Sequence, residues 1–113
     1  MREGHPNTLE VHVDATDDRL VIRPVGEIDL STSPSLRASL QTALAGGTCP
    51  VFVNLAAVPY MDSSGVATLV EALQICRRAK RDLSLVQLTD RVLSIFTISK
   101  LDTVFTICDD MNC

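Results

Sequence analysis

Three consecutive pieces decide the fold: Val51-Phe52-Val53-Asn54-Leu55, then Met61-Asp62-Ser63-Ser64-Gly65, then the run from Val66 to Arg81. The first is apolar at nearly every position and reads as the central strand of a parallel sheet with both faces covered. The third sets Val66, Leu69, Val70, Leu73 and Cys76 on one stripe, with Thr68, Glu71, Gln74 and Arg78 turned to water, which is the period of an amphipathic helix. Between them, two hydroxyls stand at a strand-to-helix corner beside the positive end of a helix dipole. Asp62 or Ser63 can simply cap that helix, as such residues often do. The same corner can also hold a phosphate or present a serine to a partner. Gly65, having no side chain, would let that partner approach Ser64 closely. Both readings are open on the residues alone.

Toward the N-terminus, Leu9, Val11 and Val13 alternate with Glu10, His12 and Asp14, a half-buried strand with His12 on its wet side. Asp17-Asp18 marks a turn. Leu20 to Val25 is a second strand, close enough to pair with the first as a hairpin, and Pro24 interrupts or exposes it by removing a ladder donor. Gly26-Glu27-Ile28-Asp29-Leu30 leads into Ser31-Thr32-Ser33-Pro34, where Ser33 is the expected cap and Pro34 the first helical residue. Leu36, Leu40, Ala43 and Leu44 form the stripe of that helix, and Gly46-Gly47 ends it. Toward the C-terminus, Leu83 to Leu88 is a strand. Asp90 is the expected cap of a helix carrying Val92, Leu93, Ile95, Phe96 and Ile98. Val104 to Ile107 is a last strand. The order β-β-α-β-α-β-α-β predicts a single α/β domain, with a mixed, mostly parallel sheet and right-handed crossover helices. Residues 1–8 read as a flexible arm, 9–108 as the domain and 109–113 as a polar tail.

Composition removes several classes of function. With 113 residues, nearly half of them apolar, the chain has material for one real core. A net charge of −4 argues against a direct nucleic-acid partner, which calls for a basic stripe. Arg77, Arg78, Lys80 and Arg81 read as a solvated helix end, where cations are ordinary. No apolar run approaches the ~20 residues of a membrane span, and the start of the chain lacks a secretory signal. The expected location is therefore cytoplasmic, without membrane insertion, and the expected state of Cys49, Cys76, Cys108 and Cys113 is reduced. Their spacing does not suggest a metal site.

Enzymes fit poorly. The corner lacks the G-x-S-x-G elbow of a serine hydrolase and the G-x-x-x-x-G-K-[ST] pattern of a P-loop, and neither His5 nor His12 is placed for a triad. What remains is a presented hydroxyl. A phosphoryl group on Ser64 would carry roughly −1.5 to −2 charges. It would meet the helix dipole and loose N–H donors, and so is expected to leave its own domain folded. Asp29 and Asp62 would share one edge of the sheet and favour a basic partner.

The chain resembles the STAS domains of the anti-sigma factor antagonist family from about Leu9 to Ile107. Gly26-Glu27-Ile28-Asp29-Leu30 is similar to that family's glycine-acidic-aliphatic-aspartate signature. Val53-Asn54-Leu55, leading through Val58 and Met61 into Asp62-Ser63-Ser64-Gly65, is similar to its most specific motif; Arg91, Leu93, Phe96 and Leu101 fit its third-helix pattern. The resemblance implies a binding module without cofactor or metal, not an enzyme. Its partners would be an anti-sigma factor that is also a serine kinase, and a serine phosphatase. The kinase would phosphorylate Ser64, and Asp29, Asp62, Ser63, Ser64 and Gly65 would form the partner surface. The unphosphorylated form would bind the anti-sigma factor and free a sigma factor, so regulating transcription. The alternative is a constitutive scaffold, or a subunit of a larger transport or stress-sensing complex, that is not phosphorylated. Three departures stand out. Lys100 and Ala67 occupy positions where relatives often carry glycine, and a final helix is expected to be absent or very short.

Overall fold

The computed structural model describes residues 9–111. The arm 1–8, His5 and Cys113 lie outside them. Five strands form one sheet in the order β1-β2-β3-β4-β5: β1 (Glu10–Ala15), β2 (Leu20–Val25), β3 (Val51–Asn54), β4 (Leu83–Val86) and β5 (Thr106–Cys108). The β1–β2 pair is antiparallel, as expected of a hairpin, and the other three pairs are parallel. The connections after β2, β3 and β4 carry α1 (Ser33–Ala43), α2 (Ser63–Arg78) and α3 (Asp90–Ile98), and a 3-10 turn (Leu101–Thr103) precedes β5.

Strand order equals chain order, so successive right-handed crossovers all return over the same face. That face holds the core. Leu20, Ile22, Val51, Val53, Leu83 and Leu85 join Leu36, Leu40, Leu69, Leu73, Val92 and Phe96 in one cluster. On the other face Val21, Phe52 and Ser84, adjacent in register, are only half-buried. β3 is central, but the expectation that both its faces are covered is corrected. An apolar run shows that a strand is interior to a sheet; it does not count the layers of helix.

Local differences follow from competing donors. Thr32, not Ser33, precedes α1, and Pro34 stands at its second position. Thr89, not Asp90, caps α3, its hydroxyl accepting from the Val92 N–H. The run from Val66 to Arg81 is helical earlier and ends sooner, at Arg78. Arg81 is therefore no solvated helix residue. It is buried, and its guanidinium donates to the Leu44, Gly46 and Cys49 carbonyl oxygens at the end of α1. Thr68 is buried too, because its hydroxyl donates to the Ser64 carbonyl. The last strand begins at Thr106, after Val104 and Phe105 have closed the 3-10 turn; Phe105 packs edge-on against Phe96 at 5.4 Å. Pro24 ends the pairing of β2 with β3, which stops at Ile22, while β1 pairs with β2 to its end. Cys49 and Cys76 are free thiols, but Cys108 is disulfide-bonded. A reducing compartment sets the state of the cell's thiol pool and does not decide which thiols a fold brings together.

Candidate functional site

The corners that follow β2 and β3 are stitched into one edge of the molecule. Beyond Pro24 the parallel pairing resumes as a single bridge between Ile28 and Met61. The Ile28 N–H donates to the Tyr60 carbonyl at 2.9 Å, and the Asp62 N–H donates to the Ile28 carbonyl at 3.0 Å. Ile28 and Met61 point inward and are fully buried. The residues after each of them, Asp29 and Asp62, are left at the surface side by side in the fold, and the Leu30 N–H also reaches the Asp62 carboxylate.

Asp62 is the N-cap of α2. One of its oxygens, Oδ1, accepts from the Ser64 N–H at 2.9 Å and from the Ser64 hydroxyl at 2.6 Å. The carboxylate pKa is held below its usual value, first by the Ser64 hydroxyl, with desolvation opposing and the Ser64, Gly65 and Leu30 N–H groups helping. The Gly65 and Val66 N–H groups are occupied as well, by the Asp62 carbonyl. The N-terminus of α2 is thus supplied with its own anion, and the expectation of loose donors there is corrected for the Ser64, Gly65 and Val66 N–H groups. Ser63 is exposed and Ser64 half-buried.

Asp29 builds the other corner. Its Oδ1 accepts from the Ser31 N–H at 2.9 Å, the Ser31 hydroxyl at 2.7 Å and the Thr32 N–H at 3.1 Å. The pKa is lowered, chiefly by the Ser31 hydroxyl. Thr32 is buried, with its hydroxyl accepting from the Asp29 N–H and donating to the Glu27 carbonyl. Thr32 holds this loop, and a threonine beside two serines gave no reason to single it out.

Gly65 serves the fold from within. It is buried, and a Cβ there would meet Met61 Cγ at 2.6 Å and Ile28 Cγ2 at 2.7 Å. The close approach that glycine permits at this point is made by the chain's own side chains. Leu30, 78% exposed, and Tyr60 flank the two aspartates as outward apolar groups. Neither was singled out from the sequence, although an apolar residue between Asp29 and Ser31 is the signal that could have found it. Among the described histidines, His12 is engaged with Glu10 on β1.

The site therefore consists of two ionised carboxylates, two carboxylate-bound serine hydroxyls, one further exposed serine and two apolar residues on one sheet edge. No metal-binding group of three or more side chains is found among the described residues, and no helix among them is long and apolar enough to cross a membrane. The arrangement suits recognition of a macromolecular surface.

The STAS domain family model matches residues 10–112. The anti-sigma-B factor antagonist of Staphylococcus aureus is 30% identical over 93 residues, which cover 82% of this chain and 86% of that protein. An anti-sigma factor antagonist from Mycobacterium paratuberculosis superposes with a TM-score of 0.84 at 20% identity, over 97% of this chain and 93% of that one. The phosphorylated form of the Bacillus cell fate determinant SpoIIAA does so with a TM-score of 0.67 at 23% identity, over 87% and 90%.

Proposed function

The chain belongs to the STAS domain family, and from that premise we propose that it is an anti-sigma factor antagonist switched by phosphorylation of Ser64. The observation that carries this reading is the D-S-S-G corner itself, half-exposed at the first turn of α2, in a chain whose relatives include antagonists of an anti-sigma factor. A relative of the same fold has been seen phosphorylated. In the unmodified state, Asp29, Leu30, Tyr60, Ser63 and Ser64 would lie against the anti-sigma factor, with the two carboxylates steering a basic partner surface. The partner acts also as the serine kinase, and a serine phosphatase reverses the modification. Binding frees a sigma factor, and so the protein regulates transcription in the cytoplasm without catalysing a reaction.

Phosphorylation places a hydrated dianion in an interface fitted to a hydroxyl. Losing about 3–4 kcal/mol there weakens binding a few hundredfold. Ser64→Ala should therefore stay bound to the kinase, and Ser64→Asp should bind poorly. A pulldown with Ser64→Ala, identification of a bound serine kinase, and phosphopeptide mass spectrometry of the wild-type chain after incubation with that kinase and ATP test the reading. Phosphate on Ser63 with Ser64 untouched overturns the site, and no phosphate on either serine favours the constitutive scaffold.

A further inference from the structure

Ser64 and Asp62 share more than a motif. The Ser64 hydroxyl donates to Asp62 Oδ1 at 2.6 Å, and the same oxygen caps α2 through the Ser64 N–H at 2.9 Å. A charge-assisted contact of this length fixes the hydroxyl rotor, directing its proton to the carboxylate and its lone pairs away from it. When a phosphoryl group moves from a nucleoside triphosphate to Ser64, the Oγ–H bond breaks and an Oγ–P bond forms. The diphosphate leaves and the hydroxyl proton is released. Oγ then has no proton for Asp62, and a group of roughly −1.5 to −2 charges arrives beside a carboxylate that is itself ionised. Most N–H groups of the first turn are not open to the new charge, because Asp62 already occupies those of Ser64, Gly65 and Val66 with its side chain and carbonyl and leaves that of Ser63.

We propose that Asp62 is a positioning residue of opposite effect in the two states: it holds the Ser64 hydroxyl for modification, and it repels the phosphate once present, so that phosphorylation loosens the α2 cap within this domain. This rests on Ser64 being the modified residue, and it adds an intramolecular cost to the intermolecular one. A phosphate that must either displace Asp62 from the Ser64 N–H or swing away from the helix weakens the corner in both cases.

Phosphoserine inserted at position 64 during translation tests this without any kinase, so failure of the switch reading and failure of this coupling are separately visible. Thermal unfolding is compared for Ser64 and phosphoserine in the wild-type, Asp62→Asn and Asp62→Ser backgrounds. Asn and Ser cap helices about as well as Asp but carry no charge. The phosphate should lower the wild-type Tm by about 3–6 °C. In Asp62→Asn it should leave Tm unchanged or raise it, and Asp62→Ser carries the same comparison should Asp62→Asn fail to fold. A purely structural cap would give additive shifts with no such coupling. The coupling should also shrink in 1 M salt, where charges are screened within about 3 Å. An equal effect of the phosphate on Tm in all three backgrounds overturns the proposal.

Discussion

At the corner after β2, Asp29 accepts from the N–H and the hydroxyl of Ser31; at the corner after β3, Asp62 accepts from the same two groups of Ser64. Both are Asp-x-Ser turns with hydroxyl contacts of 2.7 and 2.6 Å. The turn chemistry is thus repeated, and a serine held by a carboxylate is not by itself a mark of modification. What differs lies beneath. Asp29 stands before the helix, whose start is held by Thr32 through loop contacts. Asp62 is the helix cap itself, and the third residue of its helix is a glycine packed on Met61 and Ile28. Ser64 is therefore bound to a regular helix with a filled core below it, while Ser31 rides on a turn. The second corner is distinguished by where its serine stands, in the first turn of a helix packed on Met61 and Ile28. Identification of Ser64 as the switch draws on family membership in addition.

The largest effect is expected from removing the shared apolar joint. Met61 is fully buried, and Met61→Ala should cost about 2–5 kcal/mol in denaturant unfolding. A value under 1 kcal/mol would mean that the two corners are not joined through this side chain.

Gly65→Ala comes next. Ala is the better helix former, yet the contacts of 2.6 and 2.7 Å predict a net loss, of about 1–3 kcal/mol. In a Met61→Ala background the overlap with Met61 is removed and only that with Ile28 remains, so the double variant should lose less than the sum. Strict additivity would refute the packing role given to Gly65.

Removing each carboxylate then separates the corners directly. Asp62→Ala should cost about 1 kcal/mol as the loss of a helix cap. Asp29→Ala should lower Tm as well, because its turn loses three acceptor contacts, so the binding surface and the loop scaffold are the same atoms. Both carboxylates have lowered pKa values in the fold, relative to 3.8. Their contribution is fully present above that value and is lost as the pH falls through the lower folded pKa. Asp62→Asn should accordingly reduce the drop in Tm below about pH 4, read from melts across pH 2 to 6. A wild-type and a variant profile of identical shape would count against the carboxylate contacts.

The smallest effect lies outside both corners and serves as a reference. Lys100 has φ 63°, a left-handed conformation at the end of α3. Lys100→Gly should therefore raise stability by about 1 kcal/mol while leaving the behaviour of either corner unchanged. A loss of stability would show that the lysine side chain contributes more than its backbone costs.

Much of the architecture could be read from single stretches of chain. The alternation of Leu9, Val11 and Val13, the stripe of Leu69, Leu73 and Cys76, and the apolar row of Val51, Val53 and Leu55 report local periodicity, and periodicity survives without knowledge of neighbours. The order of the elements then restricts the topology, since crossovers have one hand. The Asp62-Ser63-Ser64-Gly65 motif and Asp29 were legible for the same reason: they are short, contiguous and unusual.

Tertiary structure decided whatever depends on residues far apart in sequence. It covered one face of the sheet only, because the return side of three crossovers is a property of the whole topology. It buried Arg81 by giving its guanidinium the carbonyl oxygens of Leu44, Gly46 and Cys49, a set of acceptors that no local window contains. It moved the N-cap positions to Thr32, whose hydroxyl donates to the Glu27 carbonyl and makes no capping bond, and to Thr89, whose hydroxyl caps α3 and donates to the Val58 carbonyl. And it gave Gly65 its purpose, by placing Met61 and Ile28 where a methyl group would stand. Which segments are strand, helix and corner is settled locally along the chain, since backbone preference and apolar spacing act within a few residues. Only the packed molecule determined what each corner touches, since excluded volume and hydrogen-bond satisfaction act between segments that the chain brings together last.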